Sequence, residues 1–247
     1  VILTGGNLGR SGVLTGGRLS RAAVAAAGGS SSLLTGLVSY WKMDEASGTR
    51  NDSAGTNHLT SNNGVAQVSG KLGNAAGFTA ASSQSLSIAS NATIQFNDAD
   101  FTYAGWVWFD DLTVSFQFPF VLGKGPNGSD EVELFIDGGT PTLAWRVNGS
   151  ALVEKAFSGT GAWLFFEAWH DHTNDLIGIN INNGTAVTGA FAGGITYSGG
   201  ALYVGARPNP DLYLSGRVDG LGLWSRLLTS AERAALYNSG AGIDYPF

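Results

Sequence analysis

From Leu37 onward, turn signals recur at intervals too short for long helices, and the stretches between them read as strands. Pro126-Asn-Gly-Ser129, Asp137-Gly-Gly139, Asn148-Gly149 and Asn183-Gly184 are such signals. Asn-Gly supplies the positive φ angles that tight hairpins need. Between them, Leu37–Trp41, Phe101–Phe109, Glu131–Ile136, Thr142–Val147, Trp163–Trp169 and Asp175–Ile181 are rich in β-branched and aromatic residues, several alternating in character. Many strands, short connections and no repeating long helix predict an all-β antiparallel two-sheet sandwich of jelly-roll type. One helix is expected near the end. Thr229-Ser-Ala-Glu232 is a capping box, good helix formers run to Tyr237, and Asn238-Ser-Gly240 stops them.

Composition agrees. Of 247 residues 43% are apolar and only 13% charged, which excludes disorder of the whole chain. Zero cysteines remove disulfides, zinc–thiolate sites and thiol catalysis together. No apolar run is long enough to span a membrane, so no membrane insertion is expected. The start, Val1-Ile-Leu-Thr-Gly-Gly, shows no leader pattern.

The first 35 residues differ from the rest. They hold no aromatic residue and no acid, and Leu3-Thr-Gly-Gly-Asn-Leu8-Gly-Arg10 recurs as Leu14-Thr-Gly-Gly-Arg18-Leu19-Ser-Arg21. Two copies do not make a solenoid. They read as two similar docking segments of an extended basic Gly-rich arm, with Leu3, Leu8, Arg10, Leu14, Arg18, Leu19 and Arg21 as its partner-binding residues. Arg21–Ala27 suits a helical turn or two, and Gly28-Gly-Ser-Ser-Ser32 a hinge. With three arginines in the arm, the net charge of −6 leaves about −9 on residues 36–247. That split argues against nucleic acid and for an arm docked on other protein subunits.

Four stretches resemble the laminin G-like, concanavalin A-like lectin/glucanase superfamily. They are Leu37-Val-Ser-Tyr-Trp-Lys-Met-Asp-Glu-Ala-Ser-Gly-Thr49, Asp52-Ser-Ala-Gly-Thr-Asn-His-Leu59, Phe101-Thr-Tyr-Ala-Gly-Trp-Val107, and Gly216-Arg-Val-Asp-Gly-Leu-Gly-Leu-Trp-Ser-Arg-Leu-Leu-Thr-Ser-Ala-Glu232 continuing to Ala235-Leu-Tyr237. The resemblance covers residues 36–247 and implies one jelly-roll domain. Members bind sugars, calcium or proteins, and a few hydrolyse β-glucans. The tail resembles the end of such domains in phage and bacterial surface proteins, which implies a virion surface or extracellular location.

The superfamily's hydrolases place Glu-x-Asp-x-x-Glu on one strand face. Here Glu131-Val-Glu133, with Asp137 beyond, lacks the middle Asp and the final Glu. The pair is expected to be a solvated strand edge, and the chain not an enzyme. His170-Asp-His172 has metal-ligand spacing but no third ligand, and is expected to be an exposed turn. His58 is expected to be structural. No cofactor is required. Calcium, if bound, is expected at Asp219, Asp130, Glu131 and Asp44, because Asp219 matches an acidic position of the family. Against this, Phe78-Thr-Ala-Ala-Ser-Ser-Gln-Ser-Leu86 lacks the acidic pair common in relatives. Trp108, Trp145 and Tyr213 are the candidates for stacking on surface glycans. Phe116 and Phe118 are a candidate protein contact. The expected role is a virion-associated decoration, cement or fibre-type subunit docked through its arm. The alternative is a carbohydrate-binding adhesion module, with glycoside hydrolysis last.

Overall fold

The computed structural model describes residues 32–113, 116–123, 131–137, 140–197, 199–207 and 212–247. The arm residues Leu3, Leu8, Arg10, Leu14, Arg18, Leu19 and Arg21, the helical turn and most of the hinge lie outside them, as does Asp130.

Fifteen strands are described: β1 (Leu37–Trp41), β2 (Thr60–Asn62), β3 (Ala66–Ser69), β4 (Asn74–Phe78), β5 (Ser85–Ile88), β6 (Phe101–Phe109), β7 (Gln117–Gly123), β8 (Val132–Ile136), β9 (Thr142–Val147), β10 (Ala151–Ala156), β11 (Leu164–Asp171), β12 (Leu176–Ile181), β13 (Val187–Ala190), β14 (Ala201–Val204) and β15 (Gly216–Trp224). The helix α1 (Ser230–Tyr237) follows. One sheet runs β13-β12-β11-β6-β15-β4-β3, with β1 also paired to β15, and has eight strands. The other runs β10-β9-β8-β7-β14-β5-β2 and has seven. Strands that are neighbours in a sheet are often far apart in sequence, as in the β6–β15 pair, which is the jelly-roll pattern.

Period-two alternation sets which side chains meet between the sheets. Phe101, Tyr103, Val107 and Phe109 of β6 face Phe120 and Leu122 of β7, Leu134 and Ile136 of β8, and Trp145 of β9 in one core. Tyr103 and Phe120 lie 4.3 Å apart between ring centroids. Fully burying each such ring contributes roughly 1.5–3 kcal/mol. The Asn148-Gly149 turn behaves as expected, with φ of 48° and 64°. In the β12–β13 connection the left-handed pair is Asn182-Asn183, one residue earlier than the Asn183-Gly184 signal suggests.

A second apolar layer covers the outside of the eight-stranded sheet. Ala104, Trp106, Phe165 and Trp224 are roofed by Leu33, Leu228 and Leu236, with Phe247 packed against them. The capping box holds α1 in place over this layer: Thr229 Oγ1 accepts from Glu232 N at 3.2 Å, and Glu232 Oε2 accepts from Thr229 N at 2.8 Å. The chain enters here. Arg226 donates to Ser32 O (2.9 Å) and Thr35 O (2.7 Å), and Trp224 Nε1 to Leu33 O (2.8 Å). Leu33 is fully buried, so the domain reaches back to Ser32, four residues into the segment read as arm.

Candidate functional site

The outer face of the seven-stranded sheet carries a charged and aromatic patch. Register places Ser87, Tyr203, Val121, Glu133 and Arg146 in one row across β5, β14, β7, β8 and β9. Directly opposed residues of antiparallel strands project to the same face. Glu133 is fully buried in this row. Its carboxylate forms an ion pair with Arg146 and lies 3.6 Å from Arg207 Nε, which follows β14. Each guanidinium also covers a phenyl ring, Arg146 over Phe135 at 4.7 Å and Arg207 over Phe118 at 5.5 Å. One carboxylate between two guanidiniums holds both forks in fixed places. Glu131 and Glu133 are therefore no solvated edge: both are buried, in the interior of the sheet.

Phe116 and Phe118 stack at 6.5 Å, but of the two candidate contact residues only Phe116 is exposed. A register irregularity between Gln117 and Phe120 and a φ of 52° at Phe116 let Phe118 turn under the patch, against Phe135.

The glycan candidates separate. Trp145 is a core residue with no exposure, and its indole N–H donates to Trp169 O at 3.2 Å. Its parity on β9 is that of Leu143 and Val147, which face inward, while Arg146 faces out. Trp108 is half-buried on the outer face of β6. It donates to Asp110 Oδ1 (2.9 Å), meets Trp163 edge-on at 5.9 Å, and lies under Arg217 at 4.9 Å. A recess of about 150 Å³ adjoins it, lined by Val68, Gly77, Asp110 and Arg217 among others. Tyr213 is half-buried in a bridge with Ala206, the residue before Arg207.

Of the calcium candidates, Asp44 and Asp219 come together under the β3–β4 turn. Asp219 is fully buried, and its Oδ2 accepts from Lys71 N (2.6 Å) and Leu72 N (2.8 Å). Its Oδ1 is buried without a hydrogen-bond partner. Burial pushes the Asp219 carboxyl up to about 7, and the charges of Asp44 and Asp244 add to the effect. Asp44 Oδ1 accepts from Asn74 N at 2.9 Å. A Cβ at Gly70 would strike Asp219 Oδ2, which explains the glycine. Glu131 does not join the set, because it precedes β8 in the other sheet and its charge acts on Tyr197. Among the described residues, no group of three or more His, Asp or Glu is placed to hold a metal ion. Two carboxylates with one unmet oxygen fit part of a hard-cation shell, and carbonyls and water would have to complete it.

His170 is not in an exposed turn but buried in β11, with Nδ1 2.9 Å from Ala99 O. Exposed His172 lies 3.1 Å from Asp98. His58 Nδ1 accepts from Asp52 N at 3.0 Å.

A laminin G-type family model, described as the concanavalin A-like lectin/glucanases superfamily, matches residues 72–232. The chain belongs to this superfamily. No curated protein matches it. Among solved structures, this concanavalin A-like domain is similar to domain 4 of AbnA, an extracellular GH43 arabinanase from Geobacillus stearothermophilus, in complex with arabinotriose. The TM-score is 0.62 at 17% identity, covering 84% of this chain and 98% of that one. It is also similar to Trypanosoma rangeli sialidase (TM-score 0.65, 13% identity, 85% of this chain and 34% of that one). The binding domain of Paraclostridial Mosquitocidal Protein 1 is a third (TM-score 0.64, 16% identity, 84% and 53%). The domain thus spans about a third of the sialidase chain and half of the toxin chain. At these identities the likeness establishes the shared fold. The fold is common to glycosidase-related domains and to binding domains. No described helix is long and apolar enough to cross a membrane.

Sequence reasoning missed Arg146 and Arg207 as site residues. The available signal was a cation between two core residues, Trp145 and Val147, on a strand running beside Glu133.

Proposed function

We propose that the chain is a non-enzymatic attachment and display subunit of a virion-surface or other extracellular assembly, docked on neighbouring protein subunits through residues 1–31 and presenting a lectin-like domain. The observation that carries the reading is Glu133. On a face where a hydrolase would keep a free carboxylate pair, this carboxylate is shared between Arg146 and Arg207. It acts as an anchor for two cationic forks, which is the chemistry of recognition. Placement supports the same reading. The arm joins the domain on the eight-stranded side, beside α1, so docking there leaves the patch of the opposite sheet free for a partner. The fold also serves the toxin binding domain and the arabinotriose-bound arabinanase domain.

Deleting residues 1–31 is the test. Residues 32–35 must stay, since Ser32 and Leu33 are built into the domain. Incorporation into the assembly should be lost while the domain keeps its melting temperature. Full incorporation without the arm sinks the reading, and reducing-sugar release from β-glucans by the intact chain would replace it with hydrolysis.

A second reading is a carbohydrate-binding adhesion module, favoured by half-exposed Trp108 beside its recess with Asp110 and Arg217. A glycan array read before and after Trp108→Ala addresses it.

A further inference from the structure

A second recess, of about 170 Å³, lies between α1, the segment before it and the outer face of the eight-stranded sheet, lined by Thr102, Glu167, Trp169, Leu227, Leu228 and Arg233. Strand parity builds its floor. Thr102 of β6 and Trp169 of β11 are register partners, and Glu167 stands two positions along β11. All three point away from the inner core, which takes Phe101, Tyr103, Phe166 and Ala168 from the same strands. Half-buried Trp169 has its six-membered ring over Gly178, its partner on β12, where any Cβ would collide with it. Leu227 and Leu228 add aliphatic walls. Glu167 is almost wholly buried and accepts from Arg233 Nη1 at 2.9 Å. Burial pushes its carboxyl up, Arg233 pulls it back, and the charge of Glu232 raises it again. A further cation beside it is therefore favoured.

The recess adjoins the root of the arm. Thr102 Oγ1 donates to Arg226 O at 2.8 Å, and Arg226 Nη2 donates to Ser32 O at 2.9 Å. Ser32 Oγ donates to Glu232 Oε1 at 2.6 Å. Leu227 and Arg233, which line the recess, each follow one of these partners of Ser32 in the chain. Leu34, the next residue but one, is half exposed at the same place.

The chain's own sequence holds a complement. Each arm repeat ends in Leu-x-Arg, as Leu8-Gly-Arg10 and Leu19-Ser-Arg21. In an extended segment residues two apart share a face, which is the spacing of Trp169 and Glu167 on β11. The second repeat carries Arg18 as well, and a basic arm faces a domain of about −9. Leu19 precedes Ser32 by 13 positions, a stretch that extends to at most about 45 Å, enough to cross to an adjoining domain.

We infer that this recess receives the Leu14–Arg21 segment of a second copy of the chain, Leu19 against Trp169 and Arg21 beside Glu167, the two copies exchanging arms about a two-fold axis. Because each recess lies at the root of an arm, a two-fold contact there brings both roots and both recesses together and covers Leu34 of each copy. The inference rests on the attachment reading and names the neighbouring subunit.

The test is sedimentation velocity, at micromolar concentration, of the full chain and of two full-length variants. The recess variant is Leu227→Trp, which fills the recess from its rim. The arm variant combines Leu19→Ser with Arg21→Glu. The unaltered chain is expected to be a dimer, and each variant alone to self-associate at least tenfold more weakly. Mixed in equal amounts, the two variants should form a one-to-one complex, because one supplies the arm and the other the recess. A synthetic peptide of residues 14–21 should also shift the 15N indole signal of Trp169 in the arm variant, assigned through Trp169→Phe, and this decides the matter if Leu227→Trp does not fold. The inference is overturned if the unaltered chain is a monomer, if folded Leu227→Trp dimerises equally well, or if the peptide leaves the Trp169 signal unmoved. Failure of the mixed variants to associate overturns it too, and is the result expected of an arm docked on its own domain. A monomeric chain that still loses incorporation when residues 1–31 are removed would eliminate this site and leave the attachment reading standing.

Discussion

On the eight-stranded sheet the outward residues Ala104, Trp106, Phe165 and Trp224 are buried under α1, the entering chain and the C-terminal tail. On the seven-stranded sheet they are Tyr203, Val121, Glu133 and Arg146, with Phe135 beside them and no described helix over them. Both faces use aromatic rings, but to different ends. On the first, rings stack under other rings and the face is spent on stability. On the second, rings lie under guanidiniums that are also paired with Glu133. A sandwich needs only its inner faces for a core, so the covered part of the outer face serves to tie the chain ends to the domain.

The comparison breaks most directly at Trp224. Trp224→Ala should cost about 3–5 kcal/mol in urea unfolding, because it removes a fully buried indole and its bond to Leu33 O. A loss below 1 kcal/mol would mean that the covered face is not structural. Next comes Arg226→Ala, which strips Glu232 of its two-pronged partner and frees Ser32 and Thr35. A loss of about 2 kcal/mol at pH 7 is expected. Arg226, with Ser32 and the α1 N-terminus, holds the Glu232 carboxyl down at about 2 against its partial burial. That stability is present above the ordinary Glu value near 4.5 and is lost as pH falls toward 2. The variant should therefore show a shallower acid limb in chemical unfolding.

Asp219 has the opposite sign. Its folded value, about 7, lies above its unfolded one, so stability falls as pH rises from about 4 to 7. Asp219→Asn should flatten that slope and raise stability at pH 8 by something on the order of 1–2 kcal/mol. Unchanged slopes in calcium-free buffer would show that other groups carry the pH dependence. On the open face, Arg207→Ala and Arg146→Ala should each lower partner affinity tenfold or more in surface plasmon resonance, and each also takes an ion-pair partner from fully buried Glu133, at a stability cost of about 1–3 kcal/mol. The smallest effect belongs to Phe116→Ser. Over a third of that side chain is exposed, so stability should move by no more than about 0.5 kcal/mol while adhesion drops.

Much of this was legible from the residues alone. The bounds of β1, β6 and β9, and the Thr229–Glu232 box, are local patterns, and local chemistry decides them. Strands as short and polar as β2, β3 and β13 exist only because a neighbouring strand offers a ladder, and no periodicity announces them. The site was harder for the same reason. Trp145 and Arg146 are adjacent, and which of them reaches solvent depends on which face of β9 the sandwich buries. Glu133 gains its meaning from Arg146 and Arg207, the second of which is 74 positions away. Phe118 went under because of a one-residue irregularity that composition does not encode.

The way the chain enters the domain sets a load path. Ser32, Leu33, Thr35 and Gly36 are each tied through a backbone oxygen to Trp224, Ser225 or Arg226. Tension drawn along residues 1–31 meets this row of bonds, and the buried Leu33 side chain, before it reaches β1. The row lies at the end of β15, a strand paired with β1, β4 and β6. A pull on the chain from that end would thus pass into the most extensively paired part of the sandwich.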